Sequence, residues 1–254
     1  MSQRKIAVVN QKGGVGKTTT AINVAARLAK DGSKVLLVDL DPQGNASSGI
    51  GLAKSDTKLT TYELIEGSIT LEQAAQKTHV AQLFTIVANT DLAGAEVELV
   101  GKDRREYALA DVLQGASSYN YVIIDCPPSL GLLTINGLTA ASEVLIPVQA
   151  EYYALEGLSQ LLNTIQAVRS STNPGLELLG IVLTMFDKRN SLSDQVLAEV
   201  KNYFGDKLFS TIIPRNVRLA EAPSFGRTIY EHDRWSKGAR AYKSLTKEIA
   251  AQHN

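Results

Sequence analysis

The run Gln11-Lys12-Gly13-Gly14-Val15-Gly16-Lys17-Thr18-Thr19-Thr20 packs three glycines, two lysines and three threonines into ten residues, a combination suited to holding a polyphosphate. Glycines let the backbone wrap close to phosphate oxygens with several N–H groups turned inward, and a helix that starts directly afterwards adds the positive end of its dipole. In such a loop Lys17 pairs with the β- and γ-phosphates and the Thr18 hydroxyl ligates Mg²⁺. The pattern G-x-x-x-x-G-K-[ST] is met at every position but the first, where Gln11 replaces glycine. Strand, loop and helix follow in the required order, so the segment Lys12, Gly13, Gly14, Val15, Gly16, Lys17, Thr18 and Thr19 predicts ATP or GTP binding with Mg²⁺.

Lys12 adds a positive charge to a loop that already has enough. It reads either as a solvated loop lysine or as a charge delivered across a subunit interface, stabilising phosphoryl transfer as an arginine finger does. Three acids invite a second question. The apolar runs Val35-Leu36-Leu37-Val38 and Tyr121-Val122-Ile123-Ile124 end in Asp39 and Asp125, and Asp41 lies two residues beyond Asp39. Ligands of open α/β sheets bind at the carboxyl ends of strands, so these acids can face the phosphates. One would hold Mg²⁺ through water and another would orient the attacking water; the alternative is that they cap helices.

The elements that must position these residues are legible from periodicity. Short apolar runs at Ile6 to Val9, Val35 to Leu40, Phe84 to Ala88, Tyr121 to Ile124, Val144 to Val148, Gly180 to Leu183 and Phe209 to Ile213 read as buried strands, spaced too far apart for hairpins. Ala21, Val24, Ala25 and Leu28 keep helical spacing between the first two runs. Strand and helix in alternation predict an α/β fold, a doubly wound and mostly parallel sheet flanked by helices. With 254 residues, no repeat and no linker-like tract, residues 1–254 are expected to form a single domain. Residues 45 to 82 and 89 to 118 carry the weakest patterns.

Composition narrows the function class less. The 44% hydrophobic and 20% charged fractions are ordinary for a globular chain. One cysteine, Cys126, reads as a small apolar residue at a strand end and forms neither an internal disulfide nor a zinc site, which favours a reducing cytoplasmic compartment. No signal segment precedes the first strand run and no apolar stretch approaches a membrane span, so secretion and membrane insertion are not expected. Net charge is zero, yet from Lys201 onward ten Lys/Arg face five acids, so any site for a polyanion should be local. The last helical segment sets Tyr242, Leu245 and Ile249 on one face and Arg240, Lys243 and Lys247 nearly opposite, a stripe that reads first as a solvated face and second as added contact to a polyanion.

Four segments taken together carry a family resemblance: Lys12 to Thr19, Asp39-Leu40-Asp41-Pro42-Gln43-Gly44-Asn45, Asp125-Cys126-Pro127-Pro128-Ser129 and Pro214-Arg215-Asn216-Val217-Arg218. The chain resembles the ParA/Soj family of DNA-partitioning ATPases over nearly its whole length, and the stretches Asp125 to Asn136 and Pro147 to Leu162 resemble its small chromosomal members. That family has a deviant Walker A motif without the early glycine, which accounts for Gln11 and makes Lys12 its added lysine. The resemblance implies an ATP-sandwiched homodimer in which each Lys12 reaches the phosphates of the opposite ATP and Gly13 leaves room for the approach. It further implies that Lys12, Lys17 and Asp41 are catalytic, with Asp41 orienting the hydrolytic water. Thr18 would bind Mg²⁺, and Asp39 and Asp125 would support it from the outer sphere. Adenine would sit near Thr184, Met185, Pro214, Arg215 and Asn216. Arg189 and Arg218 would contact double-stranded DNA without sequence preference, and a ParB-like centromere-binding partner would trigger hydrolysis on the nucleoid. Slow turnover is expected of such a timer.

Rival readings are weaker. A MinD-type membrane ATPase ends in a basic amphipathic tail, whereas this chain ends Ala250-Ala251-Gln252-His253-Asn254. Nitrogenase-type reductases need more cysteine ligands for their cluster than Cys126 supplies. An ATP-dependent ligase or kinase would need a second substrate pocket that no motif marks. Only ten residues precede Gln11, which leaves no helix-turn-helix for operator recognition.

Overall fold

Six of the seven apolar runs are parallel strands of one sheet in the computed structural model, which describes residues 3–52, 59–151 and 156–252, the side chain of Glu156 excepted. Tyr152 to Leu155, within the stretch that resembles chromosomal relatives, and His253 and Asn254 of the tail lie outside the described residues. The strands are β1 Arg4–Val8, β2 Val35–Asp39, β3 Gln76–Lys77, β4 Leu83–Ile86, β5 Tyr121–Asp125, β6 Glu143–Gln149 and β7 Glu177–Thr184. Their order across the sheet is β3-β4-β2-β5-β1-β6-β7, and only the two-residue edge strand β3 runs antiparallel.

Both faces of the sheet are covered, which is why its strands read as continuous apolar runs. Along β2 the side chains alternate: Leu36 and Val38 join one buried cluster, and Val35 and Leu37 join the other. The second cluster holds helix Lys17–Lys30, whose Ala21, Val24, Ala25 and Leu28 are buried as their spacing predicts. Ile22, Ala26 and Ala29 are buried as well: Ile22 packs near Gly49, and Ala26 and Ala29 face Val80, Thr228 and Tyr230, while the C-terminal helix Lys237–Ala251 adds Tyr242, Leu245 and Ile249 to the same cluster. Arg240, Lys243 and Lys247 are exposed, as the periodicity required.

The run Phe209 to Ile213 departs from expectation, since it is not a strand. It touches β7 at two places, where Phe209 N–H donates to Ile181 O at 2.9 Å and Ile213 N–H donates to Leu183 O at 2.8 Å. Between them Ser210 N–H and the Thr211 hydroxyl turn to the carboxylate of Glu248 on the C-terminal helix. A side-chain acceptor therefore satisfies the Ser210 N–H and draws the segment towards the C-terminal helix. The close approach of this segment also explains Gly180: a Cβ there would lie 2.7 Å from Lys207 O and from the Phe209 ring. Among the described residues, the weakly patterned stretches 45–82 and 89–118 hold short helices, turns and the two-residue strand β3, too brief to print a clear period. Among the described residues no helix is long and apolar enough to cross a membrane.

One buried ion pair fastens the ends of the chain. Arg4, 2% exposed on β1, donates twice to Glu143 at the start of β6, both at 2.7 Å, and donates its third bond to Ile249 O at 2.7 Å. Removing the acid strands a guanidinium in the core, a loss of about 3–5 kcal/mol. Glu143→Ala is therefore expected to lower the Tm by on the order of 10 °C in thermal denaturation.

Candidate functional site

Parallel register brings the chemistry together. Asp39 and Asp125 are paired residues at the carboxyl ends of β2 and β5, and Asp125 also lies opposite Val8 at the end of β1, where the glycine-rich loop begins. The loop takes the shape its residues allow. Gly14 and Gly16 have φ of 76° and 89°, a left-handed backbone that side-chain-bearing residues avoid, and Gly16 stands directly before helix Lys17–Lys30. The floor is set by three bonds: Asn10 Nδ2 donates to Pro147 O at 2.7 Å, Lys12 N–H donates to Asn10 Oδ1 at 2.9 Å, and the Thr184 hydroxyl donates to Val15 O at 2.8 Å. Lys12, Gly13 and Gly14 are exposed, and among the described residues nothing beyond its chain neighbours lies within 4 Å of where a Gly13 Cβ would stand.

Lys17 is buried and its ammonium donates to Lys12 O at 3.4 Å. Burial lowers its pKa, and the nearby carboxylates of Asp125 and Asp41 work against that fall. Asp39 is well satisfied: Ser47 N–H and the Ser47 hydroxyl donate to Oδ2 at 2.8 and 2.6 Å, and Asp41 N–H donates to Oδ1 at 3.2 Å. Burial nonetheless raises its pKa to about 6. Asp125 is the exception. Both of its oxygens are fully buried with no hydrogen-bond partner among the described residues. Burial raises its pKa well above the carboxylate range, Asp39 adds to the rise, and Thr18 and Lys17 oppose it. Asp41 sits between loop and acids, 7% exposed, with one oxygen accepting from Gln43 N–H at 2.9 Å. Among the described residues no three His, Cys, Asp or Glu side chains form a cage for a cation. A cation here would therefore take the Thr18 hydroxyl and phosphate oxygens as ligands and meet the acids through water.

The residues expected around the base form one cavity of about 390 Å³, lined by Thr184, Met185, Pro214, Arg215, Asn216 and, from the C-terminal helix, Tyr242. Met185 holds a φ of 52° at the mouth of β7, uncommon for a side-chain-bearing residue. Asn216 caps the short helix Val217–Glu221 through Arg218 N–H at 2.9 Å. Arg189 and Arg218 are both exposed and both beside acids: Arg189 meets Asp187 at 2.9 Å, and Arg218 meets Glu221 at 2.8 Å and Asp233 at 3.8 Å. Lys12 meets Glu151 of its own chain at 3.1 Å. Cys126 is buried against Gly137, where a Cβ would stand 2.7 Å from the sulfur, in keeping with a packing role.

Four site residues escaped the sequence reading. Asn10 gave one signal, an Asx-type bond two residues ahead of a turn. Ser47, Glu151 and Tyr242 gave none, since Ser47 comes from a weakly patterned stretch and Tyr242 reads as core. Tyr242 hydroxyl and Thr20 Oγ1 are 3.0 Å apart, tying cavity to loop helix.

Comparison with known proteins adds the following. An AAA domain family model matches residues 3–178. The chain is 50% identical over 252 residues to the chromosome partitioning protein ParA of Caulobacter vibrioides, covering 98% of this chain and 94% of that one. It is 52% identical over 250 residues to the chromosome-partitioning ATPase Soj of Treponema pallidum, covering 98% of both. Among solved structures it is similar to one named cobyrinic acid a,c-diamide synthase from Mycobacterium smegmatis with bound ADP and magnesium, at 39% identity and TM-score 0.88, covering 99% of this chain and 95% of that one.

The raised Asp39 pKa sets a pH dependence. Between the unfolded value near 4 and about 6 the folded chain binds the extra proton, so this carboxyl's contribution to stability falls as pH rises through that window. In nucleotide-free protein, the difference in Tm between wild type and Asp39→Asn is expected to shrink or reverse from pH 4 to pH 7; a constant difference would show that Asp39 titrates normally.

Proposed function

The chain belongs to the ParA/Soj family of chromosome-partitioning proteins, and from that premise we propose that it is an ATP-driven dimerising switch that carries DNA cargo on the nucleoid. The observation that carries this reading is Asp125. Ionising a buried carboxyl whose oxygens accept no hydrogen bond costs several kcal/mol in an ordinary core, and here it stands beside Thr18 and Lys17 at the mouth of the loop. Mg²⁺ bound with ATP supplies positive charge that offsets this cost and polarises the γ-phosphoryl group.

The chain's own residues then divide the work. Backbone N–H groups of Gly13, Gly14, Val15, Gly16 and Thr19 and the Lys17 ammonium hold the phosphates. Thr18 offers its hydroxyl to the metal, with Asp39 and Asp125 in the outer sphere. Asp41 orients the water that attacks. Thr184, Met185, Pro214, Arg215 and Asn216 enclose the base in their cavity of about 390 Å³. Lys12 acts on the nucleotide of a second copy. Its pair with Glu151 is exposed, worth no more than about 1 kcal/mol, so it yields readily to a phosphate. The homodimer binds double-stranded DNA without sequence preference through Arg189 and Arg218, and pairing two weak surfaces multiplies their affinity. A ParB-like partner stimulates slow hydrolysis to ADP and phosphate, which returns cytoplasmic monomers; no membrane takes part.

Lys12→Ala is expected to keep ATP affinity but to sediment as a monomer with ATP, where wild type sediments as a dimer. A dimer of normal stability in that variant would remove the trans role. For DNA, Arg218→Glu in the ATP-loaded dimer should weaken long-duplex binding at least tenfold in a gel shift, and unchanged retention would exclude Arg218 from the contact.

The similarity to a structure named a diamide synthase favours a second reading, ATP-dependent amide synthesis on a carboxylate substrate. ATP turnover that rises with cobyrinic acid and an amide nitrogen donor, and that ignores DNA with a ParB-like protein, would support it over partitioning.

A further inference from the structure

Residues Cys126 to Gly131 run from Asp125 to helix Leu132–Ala140, and among the described residues few bonds hold the run itself. Pro127 and Pro128 have no N–H to donate, and Pro128 and Ser129 are exposed. Cys126 N–H pins one end by donating to Val8 O at 3.2 Å, and Ser129 O accepts from the Thr134 hydroxyl at 2.6 Å. The helix that follows lacks a cap of its own, because Gly131 at the N-cap position has no side chain. Glu96 fills that role from another element. Its carboxylate accepts from Leu133 N–H at 3.3 Å and lies so close to Gly131 that a Cβ there would overlap Oε1. Glycine at 131 is thus demanded by the carboxylate rather than by the backbone, whose φ of −76° any residue adopts. A negative charge at this end of the helix also suits its dipole.

The element that carries Glu96 is itself fixed. Helix Leu92–Leu99 buries Leu92, Ala95 and Leu99, and it starts four residues after Ala88 through successive turn bonds at Leu92, Ala93 and Gly94. Ala88 N–H donates to Ser47 Oγ at 2.9 Å, the same hydroxyl that donates to Asp39. Further along, Asn136, fully buried on helix Leu132–Ala140, donates to Arg105 O at 2.9 Å and accepts from Leu109 N–H at 3.1 Å. The segment from Ala88 to Leu109 is therefore tied at its start to the network around Asp39, and at Glu96 and Leu109 to the helix that receives the loop after Asp125.

We propose that Glu96 is a positioning residue for ATP hydrolysis: by capping helix Leu132–Ala140 from outside, it fixes the loop Cys126 to Gly131 beside the nucleotide site. The proposal rests on the ATPase reading above and adds to it a residue that touches neither nucleotide nor metal. Loss of the carboxylate frees one end of this loop and leaves the phosphate loop, Lys17 and the base cavity as they are, so turnover falls while nucleotide affinity stays.

The test measures steady-state ATP hydrolysis with Mg²⁺, ADP affinity, and hydrogen exchange of the Leu133 amide by NMR, all on the full chain. Glu96→Ala is expected to lower kcat about tenfold, to change KM for ATP and ADP affinity by less than about twofold, and to speed exchange at Leu133. Glu96→Gln keeps an oxygen acceptor for Leu133 N–H and should recover most of both losses. Glu98→Ala, an exposed acid on the same helix that meets only Tyr62, should keep wild-type kcat. Wild-type kcat in Glu96→Ala, or unchanged exchange at Leu133, would overturn the proposal. So would equal losses of kcat and ADP affinity with no recovery in Glu96→Gln, or a loss in Glu98→Ala as large as that in Glu96→Ala, since a merely structural change gives either. Wild-type protein that hydrolyses no ATP would instead strike the reading on which the role rests, and exchange at Leu133 in nucleotide-free protein would still decide whether Glu96 holds the helix end.

Discussion

Everything at the site follows from placing two carboxylates side by side in the interior. Asp39 and Asp125 end adjacent parallel strands in the same register, so their side chains meet where the sheet opens towards the loop. Burial raises the proton affinity of both, Asp39 adds to the rise at Asp125, and Asp41 adds to both. Ser47 answers Asp39 with two bonds, whereas Asp125 has only the fields of Thr18 and Lys17. An arrangement so unfavourable in an empty fold makes sense as a site completed by a ligand that brings positive charge with it.

The rest of the architecture serves that placement. Parallel strands end on a common edge, and helix Lys17–Lys30 begins there with its positive end at the loop. The C-terminal helix crosses behind, closing the cavity with Tyr242 and holding Thr20 by the same hydroxyl. Arg4 ties the first strand to β6 and to Ile249 at the far end of the chain, so loop, acids and cavity sit on one stiff frame.

Charge at the surface is arranged differently. The pairs of Lys12 with Glu151, Arg189 with Asp187 and Arg218 with Glu221 are exposed, and such pairs form and dissolve at little cost. They hold cations in a neutral chain without committing them. A phosphate that binds two or three of these side chains at once competes easily with lone carboxylates in water.

The phosphate loop, the acids Asp39, Asp41 and Asp125, and six of the strands could be read from the chain alone, because glycine spacing and runs buried on both faces leave a direct imprint on residue type. The family resemblance followed from the same segments, and it pointed to the residues that line the cavity proposed for the base, which periodicity could not reach. Tertiary structure decided the remainder. Phe209 to Ile213 has the composition of a strand, yet Glu248, on the C-terminal helix, takes the Ser210 N–H and the Thr211 hydroxyl. Ser47, Glu151 and Tyr242 matter through what they touch, and Tyr242 looks like any core residue until its hydroxyl meets Thr20. Local pattern records which face of an element is buried; it holds no record of which distant side chain arrives to share a hydrogen bond or a cavity wall, and in this protein those arrivals complete the site.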